Sequence, residues 1–407
     1  MFRRLITTGA ALVLLFVPGT ATAAPGGDDY LTPSRPGDVL DLPPSGWFGG
    51  PPVSSQGRTS SVRTTTYGLS FVAIPVRGYR LGFSQVQVRS MARRINNRML
   101  GQTADRFGYR TLSYSVAPRA TNSAMSCNLD RINQKYRRYA RKLDNPPPGY
   151  RDTIAVYLTP LRFRCRYAGV ALLGGRAVYL NGVDLRDPQR LQDWIAAHEL
   201  GHTLGLEHSA AFWPERTGWQ WTDAIPQNSN QQSWYDYGDY LDLMGQPPKD
   251  GYGLRGALFS RWTFNSLSLA FLGVMQRSNL TYATSSGTFQ LNRLVPDSAG
   301  GRMMLAIPVI ADGRKTYWVM EYRPAEENAA SVNYPSPFAE RGFGVRLLIA
   351  PRGLSYPHYM NRVFRASQQD ISQAALPMGT PIRLGGGARV TVLATTPDSA
   401  TVSVTIP

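Results

Sequence analysis

Two rhythms of apolar and polar positions divide this chain. Upstream, short apolar runs alternate with segments of helical period. Residues 67–76 are mostly apolar and rich in aromatic and branched side chains, as a buried strand requires. Residues 84 to about 100 bring apolar side chains round every three or four positions, as an amphipathic helix requires. Residues 111–116 read as a second strand, 129–143 as a second helix stopped by Asn145-Pro146-Pro147-Pro148, and 153–158 as a third strand. Two further strands, 168–173 and 176–180, flank Gly174-Gly175. Asp187-Pro188 then caps and opens a helix carrying Leu191, Trp194 and Ile195. The pattern predicts an α/β sheet domain over residues 67–270.

Beyond Phe271 helical period fades and strands with turn signals take over. Apolar or alternating runs fall at 289–294, 303–310, 317–322, 345–349, 389–393 and 401–406. They predict a β-sandwich-like domain over 271–407. Gly385-Gly386-Gly387 has no helix or lysine after it, so it reads as a turn rather than a phosphate loop. No internal repeat is visible.

The first 66 residues belong to neither rhythm. Arg3 and Arg4, an apolar run over 5–17 and the triplet Ala21-Thr22-Ala23 form a secretory signal peptide over 1–23. The run falls short of the ~20 residues that span a bilayer, and no later segment supplies a transmembrane anchor. The expected location is therefore secreted, extracellular. Residues 24–66, rich in Pro, Gly and Ser, form a linker or a short propeptide; Asp38 is its one weak candidate for a blocking ligand. Cys127 and Cys165 are most simply one disulfide in an exported chain, two free thiols being the alternative.

The formal net charge is +17, and only four of the 44 basic residues are lysine. Such a surface suits an anionic cell wall or glycan, although arginines scattered over a solvated face explain it equally well. No recognition motif accompanies the charge, so nucleic acid is not an expected partner.

Chemistry concentrates in His198-Glu199-Leu200-Gly201-His202-Thr203-Leu204-Gly205-Leu206-Glu207-His208, which holds three of the four histidines. One helical turn separates His198 from His202, so both imidazoles reach one Zn2+. Glu199, rotated about 100° from His198, is no ligand but a general base and acid for water at the metal. Gly205 tolerates the positive φ of a helix-ending reversal, which brings His208 back as third ligand. The fourth position stays open, unlike a closed structural site. The remaining His358 reads as an ordinary residue. Calcium is possible, but no dense acidic loop announces a site.

Met244, in Gly238-Asp239-Tyr240-Leu241-Asp242-Leu243-Met244-Gly245, would alone be core filler. Together with the zinc motif it resembles the metzincin metallopeptidases, in which a methionine turn lies under the metal. No tyrosine follows two residues later, where Gln246 stands, so a tyrosine ligand is not expected. Within that class the chain is most similar to the gametolysin-type family over roughly residues 67–349. Three patches carry the likeness: Cys165-Arg166-Tyr167-Ala168-Gly169-Val170-Ala171 through Asn181-Gly182, Tyr237-Gly238-Asp239 with Met244-Gly245, and Tyr317-Trp318-Val319-Met320-Glu321-Tyr322-Arg323 with Gly342-Phe343-Gly344-Val345. Leu272-Gly273-Val274 departs from the Gly-Trp pair usual after the methionine.

The resemblance implies a metzincin-like protease domain with a twisted mixed sheet, and a peptide substrate paired to an edge strand. That strand would be Ala168, Gly169, Val170, Ala171, Leu172 and Leu173; an ordinary paired strand is the alternative. The expected activity is zinc-dependent peptide-bond hydrolysis with Glu199 as base. The rival readings are a non-catalytic, zinc-stabilised cell-wall or glycan-binding protein, and hydrolysis of a non-peptide amide.

Overall fold

The computed structural model describes residues 64–121, 127–160, 167–183, 185, 191–212, 234–235, 239, 242–245, 264–275, 277–294, 301–311, 314–324, 344–350, 362–364, 375–384 and 387–407. The expected signal peptide and linker with Asp38, the Cys165 end of the expected disulfide, and His358 lie outside them.

The first apolar run becomes β1 (Thr65–Ala73), followed by helix α1 (Gln85–Gln102), β2 (Phe107–Val116), α2 (Leu129–Tyr136), β3 (Asp152–Pro160), β4 (Gly169–Ala171), β5 (Ala177–Val183) and α3 (Leu191–Thr203). The strands form one mixed sheet in the order β2-β1-β3-β5-β4. All pairings are parallel except that of β4 with β5. Both faces are covered. Leu69, Phe71, Val156 and Leu180 pack with residues of α1 and α3, while Val72, Ile74, Tyr157 and Tyr179 pack with Leu129, Ile132 and Tyr136 of α2. A parallel strand buried on both faces needs apolar residues at successive positions, which is why residues 67–76 carry no clean alternation.

Ser84 caps α1 in a capping box with Gln87, a stabilisation of about 1 kcal/mol. Two boundaries differ from expectation by four residues or more. β2 begins four residues before 111, because Gly108 and Arg110 break its apolar pattern without breaking its pairing. The helix expected over 129–143 stops at Tyr136, and a 3-10 turn, Arg137–Tyr139, replaces its end. That tighter path still buries Ala140 and Leu143 among the α2 residues.

Downstream come β6 (Ala210–Phe212), β7 (Trp234–Tyr235), α4 (Ser266–Phe271), β8 (Leu280–Tyr282), β9 (Gly287–Asn292), β10 (Met304–Ala311) and β11 (Arg314–Arg323). The chain ends with β12 (Gly344–Ala350), β13 (Arg362–Phe364), β14 (Ile382–Arg383), β15 (Arg389–Thr395) and β16 (Ser399–Thr405). Two sheets result among the described residues, ordered β7-β6-β13-β12-β11-β10-β8 and β14-β15-β16-β9. Leu305, Ile307, Trp318 and Leu347 from the larger sheet share a core with Val390, Val402 and Val404 from the smaller, so the two pack face to face. On its other side the larger sheet contributes Met304, Val319 and Leu348 to the core that also holds Leu200, Leu206 and Met244. β6 and β7 precede residue 271 yet belong to this sheet, with Ala210 paired to Arg362. Strands from both sides of the expected boundary at 270–271 are thus hydrogen-bonded together. Gly387, the described member of the triple glycine, lies in the turn between β14 and β15.

Candidate metal centre

Helix α3 has no polar face. Trp194, Ile195, Ala196, Ala197 and Leu200 are all buried, as a helix between packed layers requires. Its orientation is pinned at several points. Arg94 of α1 grips Asp193 with a fork, Nε to Oδ2 at 2.5 Å and Nη2 to Oδ1 at 2.9 Å. The Tyr109 hydroxyl donates to the Leu200 carbonyl at 3.3 Å, and the Gly174 N–H to that of His202 at 2.8 Å.

The helix ends as the spacing predicts. The N–H of Leu206 returns to the Gly201 carbonyl and that of Gly205 to the His202 carbonyl, the two bonds of a Schellman turn. Gly205 sits at φ +90°, a conformation that costs other residues strain. The reversal brings His208 back to α3, with its Nε2 3.1 Å from that of His202. One ligand atom from each of His198, His202 and His208 lies within 4.8 Å of the others, so the trio can hold a metal ion.

The donor set fits zinc. His198 Nδ1 lies 2.8 Å from the Leu243 carbonyl and His202 Nδ1 2.7 Å from that of Leu206. A carbonyl only accepts, so each Nδ1 carries the proton and each Nε2 keeps its lone pair. Burial, then the neighbouring imidazoles, holds His198 well below the ordinary histidine range. Burial lowers His202 as well, and burial with His202 alongside takes His208 down to about 3. All three are therefore neutral near pH 7, the form a metal binds.

Glu199 is buried between α3 and β4, and burial pushes its carboxyl up to about 8. It lies so close to Gly169 that a Cβ there would come within 2.6 Å of Oε1. The expected substrate segment is thus the neighbour of the expected base. Of residues 168–173, Gly169–Ala171 form β4, which among the described residues is an edge strand paired to β5; Leu172 donates its N–H to the Ala177 carbonyl, and Leu173 is exposed.

Met244 is fully buried under the helix. A Cβ on Gly201 would lie 2.4 Å from its Sδ, so the glycine between the first two histidines is the methionine's seat. The turn carrying Met244 is tied to the third ligand's segment: the Ser209 N–H donates to the Met244 carbonyl at 2.9 Å, and the Asp239 N–H to that of Ser209 at 3.1 Å.

Below this turn lies a cradle of buried charge. Arg346 of β12 reaches Asp239 at 2.5 Å and Glu321 at 3.0 Å, with both ends of each pair essentially inaccessible. Glu321 also receives Arg323 Nε at 2.8 Å and the Ser266 N–H at 2.7 Å. Asp242 accepts the N–H of Met244 at 2.7 Å and that of Asn265. Burial, then Asp239, raises the Asp242 carboxyl against the pull of Arg323. Burial opposes the Arg346 charge, but Asp239 and Glu321 outweigh it and hold its pKa above the ordinary value. Sequence reasoning assigned none of these residues a role, nor Gly201. The signal was a charged residue inside an apolar strand, Glu321 in Trp-Val-Met-Glu-Tyr and Arg346 in Gly-Val-Arg-Leu-Leu.

No family model matches the chain, and no curated protein does. Among solved structures it is similar to archaemetzincin from Methanopyrus kandleri, at 16% identity and a TM-score of 0.28, over 52% of this chain and 94% of that one. It is also similar to metalloproteinase-II from Bacteroides fragilis, at 15% identity and a TM-score of 0.25, over 37% of this chain and 45% of that one. A third likeness, to a chain in a chaperone–substrate complex, has 16% identity and a TM-score of 0.26 over 52% of this chain, which spans 34% of that chain's length.

Proposed function

We propose that the protein is a secreted zinc-dependent endopeptidase. The observation that carries this reading is the convergence of three neutral imidazoles, their ligand atoms within 4.8 Å of one another, on a helix whose buried Glu199 packs against the open edge strand β4. Three histidines without a cysteine suit an open catalytic site better than a closed structural one. Zinc held by His198, His202 and His208 would supply a Lewis acid and lower the pKa of water at the fourth position. Glu199 takes a proton from the attacking water and returns it to the leaving amine. An extended peptide adds to the outer edge of β4, where main-chain pairing holds it without selecting particular side chains. The turn at Gly205, the third histidine and Met244 favour the metzincin class; the gametolysin-type likeness rests on sequence patches alone. Export completes the reading, with residues 1–23 removed and Cys127 bonded to Cys165.

Glu199→Gln should keep one zinc per chain and lose cleavage of an unfolded protein by about 10²- to 10⁴-fold. Cleavage by that variant at the wild-type rate would sink the mechanism. His202→Ala should lose the metal, and unchanged zinc stoichiometry would refute the ligand set. Mass spectrometry of the mature chain should find its N-terminus near residue 24 and no alkylated thiol before reduction.

A further inference from the structure

A groove of about 720 Å³ lies between α1 and strand β2, at the edge of the sheet among the described residues. Arg89 and Arg93 line one wall, Arg110 and Thr111 the other, and Asn96 and Asn97 lie along the helix stripe. No lining residue is acidic. The other arginines of this helix are engaged, Arg94 by Asp193 and Arg98 by a partner of its own. By contrast, Arg89, Arg93 and Arg110 make no ion pair or hydrogen bond among the described residues. Three arginines therefore line one groove with no acidic partner among the described residues.

Strand β2 forms the other wall, where Asn96 Oδ1 already accepts the outward N–H of Tyr109 at 2.8 Å and the register against β1 slips at Leu112. Recognition in this groove therefore rests on the arginine side chains rather than on strand pairing, which such edge bulges interrupt. Arg89 and Arg93 are one helical turn apart, about 5–6 Å between their Cβ atoms. Side chains on one side of an extended peptide repeat every ~6.6 Å, at two residues of 3.3 Å each. Carboxylates at alternate positions thus match the arginine spacing.

We infer that this groove docks an extended protein segment carrying Asp or Glu at alternate positions, its carboxylates on Arg89, Arg93 and Arg110. The volume suits several residues rather than a lone anion. Nucleic acid fits less well, because the groove's one aromatic, Tyr109, is buried and offers no stacking face. The inference is independent of peptidase activity, since Arg89, Arg93 and Arg110 bond to no residue of the histidine centre.

Fluorescence anisotropy on the full chain carrying Glu199→Gln, which removes cleavage as a confounder, tests it. The probes are a labelled ten-residue peptide of alternating Glu and Ser, its Gln/Ser counterpart, and single-stranded oligo-dT. The Glu/Ser peptide should bind at least about tenfold more tightly than the Gln/Ser peptide, and binding should weaken as salt rises. Single Arg→Gln changes at 89, 93 and 110 should each weaken it by roughly two- to fivefold, and the triple change by tenfold or more. Arg→Lys at all three sites keeps the charge and should bind within about fivefold of the parent. Equal binding of the two peptides, no loss in the triple Gln variant, or tighter Arg-dependent binding of oligo-dT would each overturn the inference.

Discussion

Helix α3 and the turn beneath it face each other across Met244 and are held by different forces. The helix is fixed by apolar burial, one external ion pair and backbone bonds; its chemical groups follow from local spacing. The turn is fixed by Asp239 meeting Arg346 and by Asp242 accepting the Asn265 N–H, while Glu321 joins Arg346 to the Ser266 N–H; these partners come from two strands and the start of α4. Apolar packing tolerates exchange of similar volumes, whereas a buried ion pair tolerates no loss of a partner. The helix therefore carries His198, Glu199 and His202, and the cradle supports the turn on which they rest.

That contrast can be broken at three places. Arg346→Met leaves Asp239 and Glu321 short of a buried partner and should cost about 3–5 kcal/mol in urea unfolding. Because Asp239 bonds to Ser209 beside the third ligand, zinc affinity should also fall by ~10-fold, as for other residues that orient metal ligands. Competition with a chromophoric chelator measures this, and unchanged affinity would show that the cradle supports the fold alone. Gly201→Ala drives a methyl against Met244 and should cost about 1–3 kcal/mol as overpacking, with zinc binding weakened rather than lost. Met244→Leu conserves volume and should cost less than about 1.5 kcal/mol, with near-native zinc stoichiometry. Loss of the metal in that variant would mean the thioether does more than fill space.

Legibility followed the same divide. Residues 84–100 revealed α1 through helical period, and the two central strands of the smaller sheet stood close to their expected ranges. β6, β8 and β13 went unread, being three residues each and paired to distant strands. The patches around Asp239 and around Glu321 and Gly344 were noticed only as a likeness. The structure brings them together, with Arg346 bonded to both Asp239 and Glu321.

The sequence by itself determined the histidine cluster and its local geometry, because His198, Glu199, His202, Gly205 and His208 are placed by one helical turn and one reversal of the chain. It also determined which runs would be buried, since apolar residues announce their burial. The tertiary structure alone decided what lies under and around that set: Met244 seated on Gly201, Glu199 beside Gly169, and Arg346 joined to an aspartate 107 residues away. A charge inside an apolar strand states that it needs a partner, but only the folded chain decides which one.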